Sequence, residues 1–129
     1  MNVSTFWRRL AVATACALPL GCSPAAAVTC PTDDAPCPSP GPTYQADVGP
    51  LIATYCSRCH AADGGVPGTL LQSYEDVTST KNGRIAEVRW QIKACKMPKA
   101  GEPQPTATER ATILGWFACC EANGGTCAR

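Results

Sequence analysis

Apolar residues recur at helical spacing in several stretches of the chain. The first stretch has apolar side chains three and four residues apart, on one face of a helix expected from about residue 44 into the Cys56 region. Pro50 lies near the expected start of this helix, where a proline would kink it or delay it. The apolar positions of this stretch are Val48, Leu51, Ile52 and Tyr55.

Two further apolar sets predict the middle of the fold. The first indicates a short helical piece before a break at Asn82-Gly83, and the second predicts an amphipathic helix, although periodicity alone also allows a buried strand. The first set is Leu70, Leu71, Tyr74 and Val77. The second set is Ile85, Val88, Trp90, Ile92 and Cys95.

Capping residues predict the last helix. Thr106 is followed three residues later by Glu109, the signature of a capping box. Gly124 and Gly125 are expected to end the helix, since glycine often follows a helix C-terminus. Its apolar surface is formed by Ile113, Leu114, Trp116 and Phe117. The predicted fold class is therefore all-α.

The N-terminus has the pattern of a secretion leader, predicted over residues 1–27. Arg8 and Arg9 precede an apolar run over residues 10–20 and then small residues over 25–27. The run is shorter than the roughly 20 residues that a permanent membrane helix needs. An alternative cleavage lies before Cys22, where Leu20-Gly21-Cys22 partly matches a lipobox, so a lipid on Cys22 would tether the protein to a membrane.

Domain boundaries follow from proline content and cysteine position. Residues 28–42 are rich in proline and predict a semi-extended tether. Within it, Cys30 and Cys37 either close a small loop by a disulfide or pair with distant partners. Residues 43–123 are expected to form one small domain, and residues 124–129 a cysteine-containing tail.

Composition restricts the compartment and the partners. Ten cysteines in 129 residues favour an oxidising, extracytoplasmic setting, which we expect to be a bacterial periplasm. A formal net charge of +1, lowered further by loss of Arg8 and Arg9 with the leader, does not indicate nucleic-acid binding.

The motif that carries chemistry is Cys56-Ser57-Arg58-Cys59-His60, which has the C-x-x-C-H pattern of covalent haem attachment. Two thiols on one turn can each add to a porphyrin vinyl group, and the following histidine is directed at the iron. His60 is the only histidine in the chain, so it has no competitor for this position. Zinc would need a second ligand pair, a thioredoxin-like pair would need βαβ patterning, and an ordinary disulfide is the third alternative.

Met97 is the candidate for the opposite axial position. Met1 is lost with the leader, so Met97 is the only methionine of the mature protein. It precedes Pro98 in a loop between two predicted helices, from which its sulfur could reach the iron. We expect the His60 ring and the Met97 sulfur to line one apolar pocket beside Cys56 and Cys59.

These features together resemble class I cytochrome c: an early C-x-x-C-H, a Met-Pro after a middle helix, and a T-x-x-E-capped last helix with an aromatic cluster. The resemblance covers about residues 43–123. It implies a small helical domain wrapped around one covalently bound haem c, attached at Cys56 and Cys59 and ligated by His60 and Met97.

Further features of the family are carried over to other positions of this sequence. The family often uses a proline carbonyl after the histidine to orient the imidazole, and Pro67 is the candidate, with Val66 and Gly68 as alternatives. Aromatic residues either contact the porphyrin or pack in the core: Trp90, Trp116 and Tyr74. The family does not require the cysteines of the helices and tail. A bond from Cys95 to Cys119 or Cys120, with Cys127 taking the other, would tie the Met97 loop to the last helix.

The implied function is single-electron transfer between a donor and an acceptor redox protein. A His/Met pair favours ferrous iron and fills both axial positions, so no open site remains and we expect no enzyme activity. The alternatives are a gas-binding or sensing module in which Met97 is displaced, and a haem-free, disulfide-rich secreted interaction domain.

Overall fold

The computed structural model describes residues 28–31, 34–66, 68–81 and 84–129. The predicted leader with Cys22, Pro67 and Asn82-Gly83 lie outside these residues. Within them the secondary structure is helical, with no strand, which confirms the all-α prediction. After a π-helical turn at Tyr44–Val48, the helices are α1 (Gly49–Tyr55), α2 (Ser57–His60), α3 (Tyr74–Thr78), α4 (Arg84–Lys93) and α5 (Ala107–Ala122).

The π-helical turn begins with a side-chain cap. The Thr43 hydroxyl accepts a hydrogen bond from the Ala46 amide at 3.3 Å, and the Thr43 amide donates to Asp47 at 2.7 Å. Pro50 lies in the first turn of α1, where its missing N–H costs no helical hydrogen bond. The α-helical part thus starts just before the proline, with a π-helical turn ahead of it.

Helix α4 settles the choice between helix and strand for the second apolar set, and it ends in a Schellman motif. The Lys96 amide donates to Gln91 at 3.0 Å and the Cys95 amide to Ile92 at 3.2 Å. Cys95 takes the left-handed position of this motif, with φ 52°, a place usually held by glycine. The turn leads the chain directly into Met97, whose amide also donates to Gln91.

The predicted capping box starts α5. The Thr106 hydroxyl accepts from the Glu109 amide at 3.2 Å, and the Glu109 carboxylate accepts from the Thr106 amide at 2.7 Å. At the other end Gly124 and Gly125 have φ of 64° and 89°, which completes a second Schellman ending.

Helix α5 supplies most of the core. It packs against α4 and the π-helical turn, and residues 113–117 are buried throughout. Trp116 is fully buried, and its indole N–H donates to the Ala128 carbonyl at 2.9 Å. Tyr74 donates to the Cys127 carbonyl at 2.8 Å, and its ring packs edge-on to Trp116. The C-terminal tail is thereby held against the core.

Three disulfides fasten the tether and tail: Cys30–Cys95, Cys37–Cys119 and Cys120–Cys127. Both tether cysteines have distant partners, so the small-loop alternative for them is wrong. The expected bond from Cys95 to Cys119 or Cys120 is also wrong, because the tether returns along the helices and brings Cys30 to Cys95. The separate partners expected for the adjacent Cys119 and Cys120 are confirmed.

Three disulfides favour an oxidising, extracytoplasmic setting. Within the described ranges, none of the helices has the length and apolar character needed to cross a membrane.

Candidate functional site

One helical turn presents the C-x-x-C-H side chains together. The Cys56 amide closes α1 by donating to Ile52 at 2.9 Å, and the Cys56 carbonyl then accepts from the His60 amide at 3.0 Å. Cys56, Cys59 and His60 therefore lie on one turn, with the half-buried Cys56 facing inward and Cys59 exposed.

The loop after His60 folds back onto this turn. The Leu71 amide donates to the His60 carbonyl at 2.8 Å, and the Ser57 hydroxyl donates to the Leu71 carbonyl at 2.7 Å. Gly64 approaches Cys59 so closely that a Cβ there would overlap the Cys59 carbonyl oxygen. The glycine is needed for this packing, which holds the second thiol of the motif in place.

The orientation of the imidazole is set by a backbone carbonyl. His60 Nδ1 lies 3.0 Å from the Thr69 carbonyl oxygen. A carbonyl can only accept, so this bond places a proton on Nδ1, and in the neutral ring the Nε2 lone pair is then the one available to a metal. Among the described residues the carbonyl that meets the ring belongs to Thr69 and not to the alternatives Val66 and Gly68, while the candidate Pro67 lies outside the described residues. Nothing in the residue type of Thr69 signals this, because its backbone makes the contact.

The expected shared pocket is present. A cavity of about 270 Å³ is lined by both cysteines of the motif, by His60 and by Met97. Its apolar lining includes Leu71, Val88, Ile92, Ile113 and Pro105, with Tyr55 as an aromatic member. The exposed side chains of Arg58 and Glu102, 3.9 Å apart, stand at its edge, so the cavity opens to solvent there.

The aromatic carry-overs do not line this cavity. Trp116 and Tyr74 pack in the core beside the C-terminal tail. Trp90 is 48% exposed on α4, with the Lys96 ammonium 4.6 Å from its ring centroid. Trp116 and Tyr74 therefore pack in the core, and Trp90 lies on the surface.

Disulfide bonding separates the motif cysteines from the rest. Among the described residues six cysteines are in disulfides, and the two that are free are Cys56 and Cys59. Both free thiols border the cavity. In an extracytoplasmic chain, this distribution favours a separate chemical use for these two thiols.

The surroundings of Cys56 do not suit a thiol-disulfide oxidoreductase. Burial, with a smaller contribution from Cys59, raises the pKa of the Cys56 thiol to about 11. Redox-active C-x-x-C pairs use a lowered thiol pKa to generate the attacking thiolate. The helical surroundings likewise lack the strands of a βαβ redox fold within the described chain.

These residues also do not form a ligand set suited to structural zinc. Where the structure describes the chain, no three His, Cys, Asp or Glu side chains gather in a group that could hold a metal ion. A closed structural zinc site needs four such ligands. A thioether such as that of Met97 is a soft ligand, and with an imidazole it matches the axial ligand set of electron-transfer haems.

Two polar residues behind the cavity were not predicted as part of a site. Arg110 is buried on the core face of α5, and Gln104 precedes that helix. The sequence did indicate that Arg110 is buried. This residue lies three, four and seven residues before apolar positions of α5, which places it on the buried face of the helix. Gln104 had no comparable signal.

Comparison of the chain with protein-family models, curated proteins and solved structures finds no significant match. The chemistry of the site therefore has to be argued from its own residues.

Proposed function

We propose that this protein is an extracytoplasmic single-electron carrier with one covalent haem c. Cys56 and Cys59 would hold the haem by thioether bonds, and His60 and Met97 would be its axial ligands. The observation that carries the proposal is one apolar cavity lined by two unpaired thiols, an imidazole and a thioether.

The residues present fit this group by their chemistry. The thiols are one helical turn apart and are spared from disulfides, while the other described cysteines are bonded. In the neutral imidazole, donation from Nδ1 to Thr69 leaves the Nε2 lone pair free to bind a metal. The lining is largely apolar, as a bound macrocycle requires, and the cavity is close to the lower bound of about 300 Å³ typical of organic ligand sites.

The chain's own residues would set the behaviour of the site. The Thr69 carbonyl fixes the ring plane of His60 and increases its basicity as a ligand. Leu71, Val88 and Ile92 line the cavity with apolar surface, which would favour ferrous haem because that form carries the lower charge. When bound, haem c supplies an iron that exchanges one electron. If His60 and Met97 both ligate the iron, no position would be left for a substrate, which supports a carrier over an enzyme.

The same features support a class I cytochrome c-like arrangement, in which the helices surround the haem. Docking of a donor and an acceptor redox protein would take place at the solvent edge of the cavity, where Arg58 and Glu102 stand. A periplasmic location, and a lipid tether at Cys22 if cleavage occurs there, belong to the proposal. The three disulfides support its extracytoplasmic part.

The test is the absorption spectrum and mass of protein matured in a periplasm with haem-attachment machinery. We expect haem mass on the polypeptide that survives denaturing electrophoresis, and a sulfur-to-iron charge-transfer band in the oxidised form. Met97→Ala should keep the covalent haem, lose the band, lower the potential and admit carbon monoxide to the reduced iron.

Other outcomes would point to the alternatives. Carbon monoxide binding by the parent protein would favour a gas-binding module. Matured protein without visible absorbance would overturn the haem assignment and favour a disulfide-rich interaction domain.

A further inference from the structure

The segment that carries Met97 has little hydrogen bonding of its own. Residues 94–105, here called the ligand loop, form no helix between α4 and α5. Met97 and Pro98 are partly buried at the cavity. The carbonyl groups in the partly buried part of this loop need donors from elsewhere in the chain, because an unpaired buried carbonyl is costly.

Gln104 satisfies three of these carbonyls with one side chain. Its Nε2 lies 3.0 Å from the Pro98 carbonyl oxygen, 3.0 Å from that of Lys99 and 3.2 Å from that of Glu102. An amide NH₂ has two hydrogens, so these acceptors share them. The contacts gather the loop around one point immediately after Met97.

Arg110 holds the same loop from the core side. It is 1% exposed, and its Nη1 donates to the Ile92 carbonyl at 2.6 Å and faces the Met97 carbonyl at 3.4 Å. Its Nη2 lies 3.3 Å from Gln104 Oε1. The guanidinium thus connects the end of α4, the backbone of Met97 and the side chain that gathers the rest of the loop.

Stability alone does not account for this arginine. Its hydrogen-bond partners in the described chain are two carbonyls and an amide, with no carboxylate among them, and its Nε is buried without a partner. A buried cation without a counter-ion is costly, and an apolar side chain of similar volume is often at least as stabilising. The forked donor does what an apolar side chain could not do: it reaches the Ile92 carbonyl, the Met97 carbonyl and Gln104 at once.

We propose that Arg110 and Gln104 are positioning residues, which hold the ligand loop so that the Met97 sulfur stays at the cavity. This inference rests on the proposed haem-carrier function and deepens it. Neither side chain lines the cavity, so both act through the backbone of the loop. They keep Met97 on the iron against competition by water, hydroxide or added ligands.

The test uses Gln104→Ala in the haem-loaded protein, with Gln45→Ala as the matched control at an exposed position. We expect the variant to retain covalent haem and to lose the sulfur-to-iron band at a pH about one unit below that of the parent. Carbon monoxide should bind the reduced variant at least about tenfold faster, since several hydrogen bonds to the loop are lost. Arg110→Lys, which keeps the charge and loses the fork, should show the same two effects.

If Gln104 and Arg110 only stabilised the fold, their substitution would change the midpoint of chemical unfolding and not the pH dependence of the band. Val77→Ala removes buried volume in α3, away from the cavity, and should lower the midpoint of chemical unfolding while leaving the pH dependence of the band unchanged. If Gln104→Ala behaves like Val77→Ala in band and carbon monoxide rate, the positioning role is overturned and the carrier proposal stands. If the parent protein itself lacks the sulfur-to-iron band, Met97 is not a ligand, and the positioning role is overturned as well.

Discussion

Gly64 packs directly against the peptide carbonyl of Cys59. A Cβ on Gly64 would overlap the carbonyl oxygen and lie 2.7 Å from the carbonyl carbon, whereas a Cβ on the neighbouring Gly65 would meet no atom within 4 Å. The two adjacent glycines therefore form a matched pair for testing how the loop holds the C-x-x-C-H turn.

We expect Gly64→Ala to lower the free energy of unfolding by about 1–3 kcal/mol, since overpacking forces the backbone to shift. It should also lower the yield of covalent haem, because the displaced atoms belong to Cys59. Gly65→Ala should leave both quantities close to the parent values. Chemical unfolding and haem-stained electrophoresis measure them, and equal effects of the two substitutions would contradict the packing.

The Cys30–Cys95 bond should contribute more stability than the Cys120–Cys127 bond. Their sequence separations are 65 and 7, and closing a longer loop removes more entropy from the unfolded chain. The Cys37–Cys119 bond shortens the loop that Cys30 and Cys95 close, which reduces the expected difference to about 1 kcal/mol. Chemical unfolding of the two Cys→Ser double variants measures it, and a larger loss from the short-loop pair would contradict this order.

The capping box of α5 should make stability depend on acid pH. Hydrogen bonds from the Thr106 amide and hydroxyl, with a smaller one from Tyr55, hold the pKa of Glu109 below its ordinary value of 4.5. A lowered folded-state pKa stabilises the protein above the unfolded pKa, and this stabilisation is lost as pH falls through the folded value.

We therefore expect Glu109→Gln to be less stable than the parent at neutral pH, with the difference shrinking below about pH 4.5. Thr106→Ala should cost about 1 kcal/mol through loss of the helix cap. Unfolding free energies measured across this pH range test both. A Glu109→Gln difference that grows on acidification would contradict the sign.

The two motif thiols should differ in reactivity when the chain is made without haem-attachment machinery. Cys59 is exposed, whereas Cys56 is half-buried with its thiol pKa raised to about 11. Only the thiolate is nucleophilic, so alkylation of Cys56 should be slow at neutral pH and should keep accelerating until about pH 11. Mass spectrometry of iodoacetamide-treated Cys56→Ser and Cys59→Ser variants distinguishes the two thiols. Equal rates at neutral pH would contradict the burial of Cys56.

Local interactions made much of the helical framework predictable. Thr106 and Glu109 are three residues apart, so their reciprocal hydrogen bonds depend only on the chain between them. Apolar spacing located α1, α4 and α5 for the same reason, because helix hydrogen bonds and helix faces repeat within one turn. The C-x-x-C-H turn is equally local, and this motif was sufficient to identify Cys56, Cys59 and His60 as candidate site residues.

Relationships between distant segments were decided by the tertiary structure. Cys95 pairs with Cys30 because the tether returns along the helices, a path that no local pattern specifies. The carbonyl that orients His60 belongs to Thr69, nine residues later, because the loop folds back and the Leu71 amide donates to the His60 carbonyl. Arg110 meets the Met97 loop only once α5 has packed on α4. Such contacts depend on how separate helices and loops pack against one another. The spacing of residue types along the chain predicts only interactions between residues that are close in sequence.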